Sequence, residues 1–396
     1  MKTRAITATT ATDLRGKRPR NRRELILSAA ADQFASRGYE HVTLGDVARA
    51  VAVGPSALYR HFSSKEELLT EVLLAAMRPL ADVLSTTAED PEASLEALIG
   101  MALDERGIGL LLQREARHLS GEQRALVGDA ARELESSLTA VVRRIRPELR
   151  DAEVELLVWA VFATLVSPSF TELEMPRTAY VQVLSTISHR ILGFAVPGAW
   201  ADGPRDSVAG SVAYGSRREA VLWRAIELFA ERTYASVSVE DVAVSLGMAG
   251  PSVYAHFDSK HQILATAMTR GAAVLNMSLA GAISSSATPT QALEKLIDGY
   301  VRFALEHHRM VSLLVTEMRN LEGDARAAAM AAQAEYVAEW TRLLRLSRPE
   351  LSPAHARFSV LACLMVINTT VRRSHFRRRP GAQETLVALG RAILDV

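Results

Sequence analysis

The chain has 396 residues, 48% of them hydrophobic and only 6% aromatic, and its 46 Lys and Arg against 45 Asp and Glu leave a formal net charge of +1. That length holds several domains with ample core, and the single cysteine, Cys363, excludes both an intramolecular disulfide framework and a cysteine-cluster zinc site, as expected in a reducing cytoplasm. The longest apolar runs, 156–166 and 358–367, are too short to cross a bilayer, and no apolar segment follows the charged N-terminus as in a secretory signal, so no membrane partner is expected.

Charge is concentrated at one end. Residues 1–65 hold 12 Lys or Arg against 5 Asp or Glu, and eight of those cations fall in the first 23 positions. Residues 1–21 lack apolar periodicity and read as a disordered basic arm that would order on phosphates or in a minor groove, or remain a solvated tail. From Arg22 to Arg37 the pattern predicts a helix, with Ile26, Ala30 and Phe34 one turn apart and Gly38 past its end as a cap. Thr43 can N-cap a short second helix, Asp46 closes a variant capping box, and Leu44, Val47, Ala48 and Val51 make its apolar stripe. Ala52 to Gly54 break that helix, Pro55 suits a first helical turn, and Ser56 to Phe62 supply a third helix. Leu58 and Phe62 face inward, leaving Ser56, Tyr59, Arg60 and His61 outside, with Lys65 just beyond. Two short helices joined by a tight turn fit a major-groove motif, and such side chains suit phosphates and base edges. A small helical hairpin with a solvated polar face is the plain alternative.

The run Arg22 to Leu69, with its FASRGYEHVTLGDVARA entry, GPSALYRHF reading helix and SKEELL exit, resembles the DNA-binding domain of the tetracycline-repressor (TetR) family of transcription regulators. Ala52 departs from the pattern, standing where the turn usually has Gly. Matching the motif residue by residue marks Arg22, Arg23, Thr43, Ser56, Ala57, Tyr59, Arg60, His61 and Lys65 as candidate DNA contacts.

The motif then recurs. Arg22 to Leu69 aligns without a gap on Arg217 to Leu264 at an offset of 195, with 19 identities in 48 positions, among them Phe34 with Phe229, Tyr59 with Tyr254 and Lys65 with Lys260. The corresponding candidates are Arg217, Arg218, Ser238, Ser252, Tyr254, His256 and Lys260. Further on, LLLQREARHLSGEQRA at Leu110 matches SLLVTEMRNLEGDARA, and RPEL occurs at 146 and 348, both at an offset of 202. The expected organisation is all-α: an arm (1–21), a first helix-turn-helix domain (22–69), a first helical regulatory domain (70–196), a Gly- and Pro-rich linker (197–216), a second helix-turn-helix domain (217–264) and a second helical regulatory domain (265–396). In the first half the later helices are expected over 65–88, 92–118, 121–145, 151–166 and 177–194.

The resemblance implies that the last two helices of each half build a four-helix dimer bundle, so that one chain is its own pseudo-dimer, with room for further homodimerisation. It implies, too, a repressor that leaves double-stranded operator DNA when a small effector enters the middle helices. Their Leu, Val, Met and Phe suit an apolar ligand, with Trp159, Phe162, Phe170, Met310, Met318 and Met365 as candidate lining residues, each equally at home in an ordinary core. The repeated E-x-R-x-L-x-G (Glu115, Arg117, Leu119, Gly121 and Glu317, Arg319, Leu321, Gly323) reads better as structural than as a ligand site.

The copies differ. From Arg205 to Lys260 there are six Lys or Arg against seven Asp or Glu, Ala255 replaces Arg60, Thr233 replaces the capping Gly38, and Gly247 supplies the turn glycine missing at Ala52. Either both copies read half-sites or the second is structural; a helical adaptor that does not bind DNA would need no basic arm. No phosphate loop, nucleophile elbow or H-x-x-x-H pair appears, so neither an enzyme, a cofactor nor a metal is expected.

Overall fold

The computed structural model describes residues 22–171, 173–198, 200 and 214–396; the arm expected over 1–21 and most of the linker expected over 197–216 lie outside the described residues. Among the described residues all regular structure is helical. The first half contains α1 (Arg22–Arg37), α2 (Leu44–Ala50), α3 (Pro55–Leu58), α4 (Lys65–Thr86), α5 (Pro91–Asp104), α6 (Gly107–Leu110), α7 (Gly121–Ile145), α8 (Asp151–Val166) and α9 (Arg177–Leu192). The second contains α10 (Arg217–Glu231), α11 (Val239–Ser245), α12 (Gly250–Tyr254), α13 (Lys260–Ser284), α14 (Pro289–Glu306), α15 (His308–Thr316), α16 (Gly323–Ser347), α17 (Pro353–Val371), α18 (Ser374–Arg377) and α19 (Ala382–Leu394).

Two expected helices are shorter than their patterns suggest. The helix expected over 92–118 stops at Asp104 and resumes as the single turn α6, a π turn over Leu111–Glu115 and a 3-10 turn over Ala116–His118. Asp104 and Glu105 place negative charge where the helix dipole is already negative, and Gly107 and Gly109 lower helix propensity just beyond. The reading helix expected over Ser56–Phe62 is regular only to Leu58, whose carbonyl then accepts from both His61 N–H (2.9 Å) and Phe62 N–H (3.0 Å).

The chain packs as two compact units that cut across the halves: residues up to Val83 with Glu105–Glu135, and Leu84–Asp104 with Ser136–Val396. In the first, Ile26, Ala30 and Phe34 of α1, Val47 and Ala48 of α2, and Leu58, Phe62, Leu68 and Leu69 form the core of the first helix-turn-helix. Its α1 also rests on α6 and the π turn.

The second unit is built on α8, α9, α17 and α19, the closing long helices of both halves, which pack on one another. α8 buries twelve of its sixteen residues and is apolar on all sides, as an enclosed helix must be. Each fully buried Leu or Val contributes about 1.5–3 kcal/mol. Tyr180 of α9 meets Phe358 of α17 edge to face at 5.3 Å, Arg190 pairs with Asp395 at 2.6 Å, and His375 Nε2 lies 2.8 Å from Glu155. Trp200, at the start of the linker, is fully enclosed: its indole N–H donates to the Ala152 carbonyl at 3.0 Å and its ring lies 5.8 Å from Phe376 of the second half. This cross-half bundle is why the units do not coincide with the duplicated halves.

One expectation needs correction. The segments Asp151–Phe170, Lys260–Ser284 and Pro353–Val371 are long and apolar enough to cross a membrane once hydropathy is averaged over the whole helix, charged ends included. In the first and last, two thirds of the apolar window is buried against protein.

Candidate nucleic-acid interface

In the first head, Thr43 Oγ1 accepts the Asp46 N–H at 3.1 Å while the Asp46 carboxylate accepts the Thr43 N–H at 2.9 Å, a reciprocal capping box. Hydrogen bonds from the Thr43 backbone and hydroxyl, then from Arg49, hold the Asp46 carboxyl down at about 2. The turn after α2 puts Ala52 at φ +52°, a left-handed conformation that crowds any Cβ, and closes with Val53 N–H on the Ala48 carbonyl at 2.9 Å. With Leu58 and Phe62 inside, Ser56, Tyr59, Arg60 and His61 are exposed together, Tyr59 at 58%; Ala57 is half-buried, and Thr43 is exposed at the start of α2.

The flanking cations are less free. Arg22 is half-buried, and Arg23 pairs with Glu71 at 2.6 Å and lies 5.6 Å over the Phe62 ring. Lys65 is half-buried with its ammonium 4.1 Å over the Tyr39 ring. Burial lowers the Lys65 pKa and, with Glu66 and Glu40 nearby, pushes Tyr39 up to about 12. Beneath it the fully buried Glu115 accepts the Tyr39 N–H at 2.9 Å, and His118 sits between Glu40 (Nδ1 at 3.0 Å) and Glu115 (Nε2 at 3.7 Å), stacked on Tyr39 at 4.9 Å. The E-x-R-x-L-x-G repeat is thereby explained by its buried Glu, its buried Leu119 or Leu321, and Gly121 or Gly323 at positive φ (+48° and +52°). The Glu40–His118 contact was missed in the sequence; its only trace is the three-residue spacing of Glu115 and His118.

The second head repeats this frame. Ser238 and Asp241 form the same box (2.7 and 3.0 Å), Met248 N–H closes on the Ala243 carbonyl at 2.9 Å, and Gly247 takes φ +65° at the place of Ala52. Val253 and Phe257 are buried, Tyr254 is 47% exposed, Ser252 and His256 are half-buried, and Arg217, Arg218 and Ser238 are exposed, with Arg218 4.4 Å over Phe257. Thr233 replaces the cap lost with Gly38 by other means, accepting the Ser236 N–H at 3.2 Å. Lys260 points inward, donating to the carbonyls of Tyr234 (2.9 Å) and Val237 (3.0 Å). Arg309 of α15 reaches Glu227 (3.4 Å) and Glu231 (3.3 Å) of α10, tying this head to the helices behind it, a pairing that no sequence spacing indicated.

The residues expected to line a ligand site are spread over several elements. Trp159 and Phe162 share α8 and meet edge to face at 5.3 Å, but Arg373 from the second half covers the Trp159 ring at 3.0 Å, which puts Trp159 in the cross-half bundle. Phe170 is half-buried in the turn after α8, Met318 half-buried in the turn after α15, and Met310 and Met365 are buried on α15 and α17. No group of three or more His, Cys, Asp or Glu with metal-binding geometry occurs among the described residues.

Two family profiles match the chain. The one described as "Bacterial regulatory proteins, tetR family" matches twice, at 26–72 and 221–267, and "Tetracyclin repressor-like, C-terminal domain" matches 286–372. The HTH-type transcriptional repressor KstR2 of Mycolicibacterium smegmatis is 32% identical over 109 residues, 26% of this chain and 53% of that protein, so the chain spans about half the length of that curated relative. The nucleoid occlusion factor SlmA of Idiomarina loihiensis is 30% identical over 157 residues, covering 37% of this chain and 78% of that protein. A TetR-family transcriptional regulator of Bordetella parapertussis aligns at 22% identity and a TM-score of 0.42 over 45% of this chain and 95% of its own. KstR2 is by name a transcriptional repressor, none of these relatives is named as an enzyme, and the chain, with two copies of the amino-terminal domain in tandem, belongs to the TetR family of bacterial regulatory proteins.

Proposed function

We propose that the chain is a ligand-responsive transcription regulator that acts in the cytoplasm, binding double-stranded operator DNA through its reading heads as an intramolecular pseudo-dimer. The observation that carries this reading is the bundle of α8, α9, α17 and α19, in which one chain supplies the helices that the family resemblance assigns to two subunits. The matched repressor KstR2 supports repression as the direction. In the first head Ser56, Tyr59, Arg60 and His61 carry base and phosphate contacts, helped by the basic arm; Arg217, Arg218, Ser252, Tyr254 and His256 form the second set. An apolar effector among the middle helices would shift the population toward a released state, which requires it to bind that state more tightly.

A second reading has one observation in its favour: Lys260 is committed to two backbone carbonyls and Ala255 stands in place of Arg60, so the second head has less to offer a phosphate. In that reading only the first head grips DNA. Selecting duplex fragments with the purified chain, then footprinting Arg60→Ala and Tyr254→Ala, separates the two. Two protected half-sites, each weakened by its own substitution, support paired reading; a single half-site indifferent to Tyr254→Ala supports the second. Failure to select any duplex would rule out both.

A further inference from the structure

The two reading helices share a backbone, so their outward side chains can be compared position by position. In the first head the Leu58 carbonyl accepts from His61 N–H (2.9 Å) and Phe62 N–H (3.0 Å); in the second the Val253 carbonyl accepts from His256 N–H (2.9 Å) and Phe257 N–H (3.1 Å). Leu58 and Phe62, like Val253 and Phe257, are buried one turn apart, which turns the opposite stripe of each helix outward. That stripe is Ser56, Tyr59 and Arg60 in the first head and, at the offset of 195, Pro251, Tyr254 and Ala255 in the second. Every one of these residues is exposed.

The stripes have only the tyrosine in common. In the first head it is flanked by a hydroxyl and a guanidinium; a guanidinium only donates, and its fork fits the O6 and N7 acceptors of guanine. Among the described residues Arg60 has no carboxylate partner, whereas Arg49 is held by Asp46 at 2.9 Å. In the second head the tyrosine is flanked by a proline ring and a methyl group, which have no side-chain donor or acceptor. In a major groove the feature that such groups can recognise is the C5-methyl of thymine.

The charge around the stripes has changed in the same sense. Positions 45, 49, 60 and 63 hold two cations in the first head, while their counterparts 240, 244, 255 and 258 hold two carboxylates, Glu240 and Asp258. Val244, in the place of Arg49, is 76% exposed. The first helix of such a motif crosses the DNA backbone, where an arginine gains from phosphate and a valine does not. The second head therefore draws little on phosphate neutralisation, and its hold on a duplex depends on the tether to the first head and on contact with bases.

We infer that the operator consists of two unlike half-sites, one in which Arg60 reads a guanine and one in which Pro251 and Ala255 read the C5-methyl groups of thymine. This rests on the paired reading proposed above and names the base that each head selects. The labour is divided: the first head carries the salt-dependent affinity, and the second adds selectivity with little change in salt slope.

The test selects duplexes from a random pool with the full chain, then measures affinity for the selected site with base analogues that each remove one groove feature. Replacing the guanine of the first half-site by 7-deazaguanine, which lacks the N7 acceptor, should weaken binding about fivefold, and Arg60→Ala should abolish that sensitivity. Replacing thymine by deoxyuridine in the second half-site removes only the methyl and should weaken binding about fourfold per contacted methyl, by a ratio that salt does not alter. Pro251→Ser combined with Ala255→Arg rebuilds the first stripe on the second head; it should abolish the deoxyuridine effect and bring guanine into the second half-site. The analogues are read by the unaltered chain, so a variant that fails to fold does not weaken the test. A palindromic site, or a second half-site indifferent to deoxyuridine, overturns the assignment and leaves paired reading standing. Indifference to 7-deazaguanine, with Arg60→Ala weakening all sequences equally, makes Arg60 a phosphate ligand and also overturns it. A single half-site overturns paired reading and the assignment but leaves the first head as a DNA reader, whereas selection of no duplex overturns all three.

Discussion

The two helix-turn-helix copies share a skeleton and differ in where each accepts a disadvantage. Both have a complete capping box, the same turn closure at 2.9 Å and a cation over the buried phenylalanine of the reading helix. The first keeps Arg60 and carries a non-glycine residue at positive φ; the second has glycine at that turn and alanine on its reading face. Behind the heads, the buried Glu115 meets His118 while its counterpart Glu317 meets the Asn320 amide at 2.6 Å. Duplication within one chain allows this divergence, because a residue changed in one copy is not changed in the other, as it would be in a symmetric dimer.

The comparison can be tested most severely at its shared core. Phe34→Ala and Phe229→Ala should each cost about 3–5 kcal/mol in urea unfolding, since both rings are fully buried against a neighbouring tyrosine. A large difference between them would mean that the cores, too, have diverged. Next in size, Arg60→Ala should weaken duplex binding by about tenfold or more and flatten its salt dependence, and Ala255→Arg should tighten it by a smaller factor. If Ala255→Arg changes neither affinity nor salt slope, the second head does not approach phosphate. The turn residues are a smaller and opposite pair: Ala52→Gly should stabilise by about 1 kcal/mol and Gly247→Ala destabilise by a similar amount, read from thermal melts. A Cβ on Gly247 would meet nothing within 4 Å, so only backbone strain is measured there.

The smallest expected effect is on acid. Asp46 and Asp241 both have depressed pKa values, Asp46 chiefly through the Thr43 backbone N–H and Asp241 chiefly through the Ser238 hydroxyl. A depressed carboxyl stabilises the folded state above its unfolded pKa, about 4, and that contribution fades as pH falls through the folded value, near 2 for Asp46. Amide exchange in α2 and α11 should therefore quicken below about pH 4, and Asp46→Asn should remove the pH dependence in α2.

What the sequence made legible was local or repeated. The Thr43–Asp46 box, the inward Leu58 and Phe62 and the offset of 195 need only short spacings, and each is a direct consequence of helical period or of duplication. Gly38, the expected cap, takes φ +86°. What stayed hidden depends on partners far along the chain. Lys65 and Lys260 look like phosphate ligands until Tyr39 and the Tyr234 and Val237 carbonyls are seen beneath them. Trp159 looks like a pocket wall until Arg373, over two hundred residues later, covers it. The break after Asp104 was missed because the apolar pattern continues across it while Asp104 pairs with Arg177 at 2.5 Å.

Trp200 fastens the start of the linker to Ala152 and Phe376, beside the bundle that both halves complete. Two such helical pairs on separate chains would part on dilution and could exchange with those of any relative in the same cell. Here the second pair is always present at the high local concentration set by the tether. In the proposed pseudo-dimer, pairing would therefore not depend on how few copies the cell contains, and the contact of Tyr180 with Phe358 has no equal across the pseudo-axis, since at the offset of 202 their counterparts are Ala382 and Leu156. On that proposal a stray paralogue would find no vacant half to join, and covalent continuity would insulate the chain from cross-talk.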